Sequence, residues 1–256
     1  MPERLTRFLL RRGLVIRPGL ETREPASAVA RYCAALEARG ASLNGKRVLV
    51  FGYGGNFAVG AELLRAGASH IVLLDRFAPP DDRRNRELVR VYPDYFSLRG
   101  EQVVNNETFI TLIHGDVKNV RVEEKFDLVL STSVYEHLDD VDGLTAALAS
   151  LTRPDGIHIH YVDLRDHYFK LPFEMLKFTE GMWKRWLNPT SNLNRFRLRD
   201  YQRVFEKYFS DVTIHVLERE PESFALARNQ IRPEFLTGDD AHDTVTLIEA
   251  VASKLK

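Results

Sequence analysis

The apolar positions of this chain fall into short solid runs, most of them closed by glycine or an acid, with stretches of helical spacing between them. Val48-Leu49-Val50-Phe51 stops at Gly52, and Ile71-Val72-Leu73-Leu74 stops at Asp75. Phe109-Ile110-Thr111-Leu112-Ile113 runs into Gly115-Asp116, Phe126-Asp127-Leu128-Val129-Leu130-Ser131 follows, and Pro154-Asp155-Gly156 turns into a run from Ile157 to Val162. Runs without polar alternation mark strands covered on both faces, as in a parallel sheet. Helices are predicted over 26–39, 57–66, 141–152 and 198–209, the first two stopped by Gly40 and Gly67. Residues 212–217 and 245–252 read as two more strands, 77–108 as helical segments joining strands two and three, and 219–243 as loop. This alternation predicts an α/β fold: a doubly wound, mostly parallel seven-stranded sheet, with the last two strands as an antiparallel edge.

Composition narrows the class. A length of 256 residues, 44% hydrophobic and 28% charged, suits a globular chain with a substantial core, read as one domain over 1–256. Lys+Arg and Asp+Glu are both 36, which argues against a broad nucleic-acid-binding face. Cys33 is the single cysteine, so neither an internal disulfide nor a cysteine metal cluster is available. The arginine-containing N-terminus has only Phe8-Leu9-Leu10 as an apolar stretch, so neither signal peptide nor membrane span is expected and the expected location is the cytoplasm.

The densest motif is Phe51-Gly52-Tyr53-Gly54-Gly55-Asn56, leading into a helix, with Asp75 ending the next strand. Glycines there let backbone approach a ligand, and the helix directs free N–H groups at an anionic group. A carboxylate at the second strand's end can accept hydrogen bonds from two ribose hydroxyls. The strict dinucleotide pattern requires glycine where this chain has Phe57, which disfavours a nicotinamide enzyme.

In segment order the chain resembles the class I S-adenosylmethionine (SAM) dependent methyltransferases, best over 46–164. The turn at 52–55 resembles their SAM loop, and Asp75 matches their ribose-binding acid. Gly115-Asp116-Val117 resembles the turn that holds adenine. The stretch from Phe126 through Ser131 to Glu136-His137-Leu138 is very similar to the fourth-strand motif, and dehydrogenases do not share it. The resemblance implies SAM as cofactor, bound by Gly52, Tyr53, Gly54, Asn56, Asp75, Asp116, Val117 and Ser131. Two positions depart from the family: Val50 stands where an acid is common and Asn56 where glycine is frequent, with Tyr53 or Asn56 as candidate replacements. The stretch His160 to His167 and Asn194-Arg195-Phe196-Arg197 further resemble a small-molecule branch, without carrying over a substrate.

Methyl transfer needs alignment and, for an alcohol, a base. His167, oriented by Asp163 or Asp166, is the candidate base, and Glu136-His137 follows the fourth strand. Asp163, Asp166 and His167 have acceptable ligand types but match no firm metal motif, and no metal is expected. His158 and His160 read as satisfied core histidines. Residues 165–200 are expected to form an aromatic and basic cap over the acceptor. Tyr168 and Trp183 supply walls, Arg195 and Arg197 face an anionic group, and Lys170 is among the other bases. Residues 1–44 are expected as an N-terminal helical segment and 201–256 as the C-terminal part of the sheet. The expected activity is methylation of an oxygen or nitrogen on a small molecule, such as a specialised metabolite or sugar. The alternatives are a non-catalytic SAM-binding adaptor or an RNA methyltransferase.

Overall fold

A computed structural model describes residues 24–169, 171–189 and 191–256. The expectations for residues 1–23 and for Lys170 lie outside these residues. Strand β1 (Arg47–Phe51) shows why solid apolar runs become interior strands. Val48 and Val50 enter one apolar layer while Leu49 and Phe51 enter the other. Strand β2 (His70–Asp75) repeats this with Ile71 and Leu73 against Val72 and Leu74. Helices α1 (Pro25–Glu37) and α2 (Ala58–Arg65) cover one face. Helix α2 lies close on β2, since a Cβ on Gly60 would stand 3.3 Å from Leu73.

Strands β5 (Ile110–His114), β6 (Phe126–Thr132), β7 (Thr152–Asp163), β8 (Phe209–Arg219) and β9 (Val245–Leu255) complete the main sheet. Its order is β5-β2-β1-β6-β7-β9-β8. The pairs from β5 through β7 are parallel, whereas β9 runs antiparallel to both β7 and β8. This is the expected doubly wound sheet with its antiparallel edge. Strand order reverses between β1 and β6, and at such a switch point the carboxyl ends of the two strands open a crevice.

Two connections differ from the sequence expectation. Residues 77–108 hold helix α3 (Asp82–Val91), then a hairpin of β3 (Phe96–Arg99) and β4 (Gln102–Asn105). Only Phe96 and Val103 of the hairpin are buried, a pattern too sparse to betray strands. Phe96 stacks on Phe57, 5.6 Å between centroids, and so braces the turn before α2. The expected loop at 219–243 contains helix α6 (Pro221–Ala227). Helix α4 (Val141–Ser150) and helix α5 (Leu198–Tyr208) cover the second face.

Apolar residues drawn from Phe169 to Leu193 and from Phe224 to Leu236 form a separate cluster around Phe173, Met175, Trp183 and Phe224. Trp183 is buried and donates its indole N–H to Leu193 O. It is a core residue of this cluster rather than an open wall. Arg195 and Arg197 are also buried. Arg195 donates to Met175 O and Phe178 O and pairs with Glu180. Arg197 donates to Leu164 O at 2.8 Å and to Val245 O. Both guanidinium groups staple distant backbone carbonyls, so neither is presented to an anionic acceptor.

Among the described residues no helix is long and apolar enough to cross a membrane.

Candidate active site

The glycine turn follows β1 with positive φ at Gly52 (79°), Gly54 (66°) and Gly55 (81°). Gly54 donates its N–H to Asp75 Oδ2 at 3.0 Å, so the acid of β2 is tied to the turn of β1. Asp75 Oδ1 accepts from Phe77 and Ala78, each at 2.7 Å. The carboxylate is 8% exposed and faces the turn. Oδ1 is filled by two donors, whereas Oδ2 keeps lone-pair capacity for a ligand hydroxyl.

Asn56 Oδ1 accepts from Ala58 N–H at 2.8 Å, a capping role. Asn85, fully buried on α3, receives Phe57 N–H and donates to Gly55 O. Nothing in the residue pattern marks it beyond its place in a polar segment. Tyr53 is buried and stacks on Phe57. Burial, then the charge of Asp75, push its phenol above the ordinary tyrosine range, so it stays protonated. Val50 lies wholly in the core, paired in register with Leu73 and Leu130.

The three glycines differ in what surrounds them. A Cβ on Gly54 would meet nothing within 4 Å, whereas one on Gly55 would stand 2.4 Å from Pro79 O. Gly55→Ala is therefore expected to lower Tm by about 5–10 °C through backbone strain and the clash. Gly54→Ala should cost less stability but fill the open space beside the turn. Melting curves with and without S-adenosylhomocysteine (SAH) check this, and equal losses for the two variants would contradict it.

Asp116 stands after β5, where Oδ1 accepts from Lys118 N–H and Oδ2 pairs with Arg76 at 3.0 Å. Val117 is buried beneath it. Ser131 is wholly buried and lies 2.7 Å from His160 Nδ1. It opens a chain in which His160 Nε2 meets His158 Nδ1 at 3.2 Å and His158 Nε2 meets Thr152 Oγ1 at 2.8 Å. Thr152 donates to Leu148 O. A carbonyl only accepts, so every proton is assigned: Ser131 donates to His160, His160 to His158, and His158 to Thr152. Both rings are neutral; burial holds His158 down at about 3 and His160 well below the ordinary range.

The remaining candidates meet beyond β6 and β7. His167 Nε2 lies 3.4 Å from Asp163 Oδ2, and the His137 and His167 rings are 5.4 Å apart. Arg165 grips Asp163 through Nε, Nη2 and its backbone N–H. Burial alone would raise Asp163, but the hydrogen bonds from His167 and Arg165 hold it down at about 2. His137 donates Nδ1–H to Asn192 O at 2.7 Å, which leaves Nε2 bare. Burial lowers His137 to about 4. Asn192 and Asn194 return hydrogen bonds to the carbonyls of Tyr135, His137 and Leu138, clamping the Glu136-His137 turn. Sequence reading missed Asn192 and gave Asn194 no role beyond its place in the 194–197 stretch.

Asp166 instead caps the next turn through Tyr168 and Phe169 N–H. Tyr168 is 58% exposed and packs edge-on against Phe169. Among the described residues no group of three or more His, Cys, Asp or Glu is arranged to hold a metal ion.

A doubly wound sheet with a glycine turn tied to a strand-end acid defines a Rossmann-like, nucleotide-binding class. A family model described as a methyltransferase domain matches residues 21–208, and the chain belongs to this family of class I SAM-dependent methyltransferases. Magnesium protoporphyrin IX methyltransferase from Synechocystis, solved with SAH, aligns at a TM-score of 0.53 and 16% identity over 98% of this chain and 100% of that one. The 1,6-didemethyltoxoflavin-N1-methyltransferase of Burkholderia thailandensis aligns at 0.50 and 17%, covering 92% and 79%. For the phospholethanolamine N-methyltransferase 2 of Haemonchus contortus the values are 0.53 and 16%, covering 88% and 53%. This chain thus spans about half of that enzyme, and 56% of a further neighbour from Nostoc punctiforme. At these identities the likeness is one of fold. No curated protein matches this sequence.

Proposed function

We propose that this protein transfers the methyl group of SAM to an oxygen or nitrogen of a small molecule. The observation that carries the reading is the Gly54–Asp75 tie at the switch point, with the Asp163–His167–His137 cluster at the ends of the neighbouring strands. The residues fit the cofactor: an open space stands beside Gly54, and a buried carboxylate with a spare lone pair closes the second strand. The turn at 52–55 would take the methionine end, Asp75 the ribose, and Asp116 with Val117 the adenine. When bound, SAM supplies a methyl group activated by its sulfonium.

The protein's own work is alignment and proton transfer. His167 holds Nε2–H toward Asp163 and takes the acceptor's proton at Nδ1. Asp163 stays charged and stabilises the imidazolium. Residues 165–200 form a cap over the acceptor, with residues 45–164 as the cofactor core. Small-molecule enzymes among the structural neighbours support an acceptor of this size.

SAM and SAH are expected to raise Tm and NAD is not. No shift with either sulfur ligand would favour the adaptor alternative suggested by Val50 and Asn56. His167→Ala should lower turnover by about a hundredfold or more while leaving the SAH shift intact. Unchanged turnover would remove His167 as the base.

A further inference from the structure

Two carboxyl groups beside this cluster keep buried oxygens without a partner: Asp166 through Oδ2 alone, its Oδ1 being used in capping, and Glu136 through both. Glu136 is 3% exposed, and both of its carboxyl oxygens are buried without a hydrogen-bond partner. Its carbonyl accepts from Asn194 N–H, and the backbone N–H groups of Glu136 and Asp163 lie toward its carboxyl without closing a full hydrogen bond. Burial, and then the charge of Asp163, push its carboxyl well above the usual range. An unpaired buried carboxyl is among the most unfavourable arrangements a protein holds, and one beside a reaction centre points to a group that arrives with the ligand.

The neighbours define that group. Asp163 is saturated by Arg165 and His167. Arg165 is further occupied by Glu218. Arg197 is spent on backbone carbonyls, and Arg195 on backbone carbonyls and Glu180 with its buried Nε left over. His137 presents a bare Nε2, which accepts and does not donate. Among the described residues, then, the standing charge in this corner is that of Asp163, and the cations nearby are engaged elsewhere. A carboxylate or phosphate on the acceptor would be repelled by Asp163 and would hold Glu136 in its neutral form, whereas a cation would let Glu136 ionise. An amine brings several N–H donors and a positive charge.

Resting on the methyl-transfer reading above, we propose that the acceptor is an amine-bearing small molecule whose nitrogen is held by Glu136. Glu136 then sets specificity, and the acceptor is not the anionic compound that Arg195 and Arg197 had suggested from sequence.

The test uses three matched probes, butylammonium, butanol and butyrate, titrated at constant ionic strength into the whole protein saturated with SAH and followed by thermal shift and calorimetry. Butylammonium is expected to bind saturably at about millimolar strength, as suits a fragment of this size. Butanol should bind more weakly and butyrate not at all. Glu136→Gln and Glu136→Leu should each weaken butylammonium by about tenfold or more. The SAH shift should persist in both, and Tm of the leucine variant without ligand should hold or rise, because the unpaired buried carboxyl is gone.

Butyrate binding as tightly as butylammonium, no saturable amine binding, or amine binding unchanged in both variants would each overturn the proposal. So would a marked fall in Tm for Glu136→Leu, which would make the residue structural. A Glu136-dependent shift with manganese or magnesium alone would overturn it in favour of a cation site. Loss of the SAH shift in the unmodified protein would instead sink the methyl-transfer reading, and the amine titration would still report on Glu136.

Discussion

Asp75→Ala is expected to weaken SAH binding by about a hundredfold or more, measured by calorimetry, and to lower Tm. The carboxylate accepts three backbone N–H groups, from Gly54, Phe77 and Ala78. Leaving any of them buried and unmade costs about 1–3 kcal/mol, and the proposed ribose contact to a charged group is worth about 1.5–3 kcal/mol more. Because the alanine variant loses both turn and contact, Asp75→Asn is the companion. It keeps the size and one acceptor oxygen while removing the charge, so it should retain more of the fold than of the affinity. A folded asparagine variant with unchanged SAH affinity would remove Asp75 from the cofactor site.

The second large effect is acid lability. His158 and His160 are wholly buried and neutral, with folded values far below the 6.5 of an ordinary histidine. A histidine lowered in this way binds its proton more readily when unfolded. Its contribution to stability is therefore complete above about pH 6.5 and is lost as pH falls from there toward the folded value. Each such ring costs about 1.4 kcal/mol per pH unit within that window. His137, partly exposed, adds a smaller share in the same sense. Asp163, held at about 2, keeps its charge throughout this range. Glu136 acts oppositely, because its raised value makes acid relieve its burial above about pH 4.5. The net slope expected between pH 6.5 and 4.5 is about 1.4–2.8 kcal/mol per pH unit, against a total stability of about 5–15 kcal/mol. Urea unfolding at a series of pH values measures it. His158→Gln/His160→Gln should flatten the slope even if that variant is less stable at neutral pH. A slope unchanged in the double variant would show that the rings do not set it.

What the sequence disclosed, and what it withheld, follows from the range of the interactions. Val48 to Phe51 and Ile71 to Leu74 declare themselves because a strand covered on both faces has no polar position to spare. The Asp163–His167 pair was legible because its members stand four positions apart and a strand end fixes where they stand. Glu136 and His137 were visible as types, but not the fact that one is unpaired and the other held by Asn192. Arg195 and Arg197 were misjudged because a charge in a sequence has no marked partner. The carbonyls that bind Arg197 belong to Leu164 and Val245, far along the chain in either direction. Asn85 and the hairpin at 96–105 were hidden in a polar segment for the same reason, since only tertiary contact makes them structural.

The position of β9 has a consequence for how the chain comes off the ribosome. Strand β8 pairs with β9 alone, and β9 separates it from β7. Synthesis runs from the N-terminus, so β5 through β7 can dock as they emerge, while β8 must wait for a neighbour made after it. Until residues through Leu255 are released, the β7 edge and the nascent β8 both stay bare. During that interval two unpaired strand edges are open to pairing with other chains.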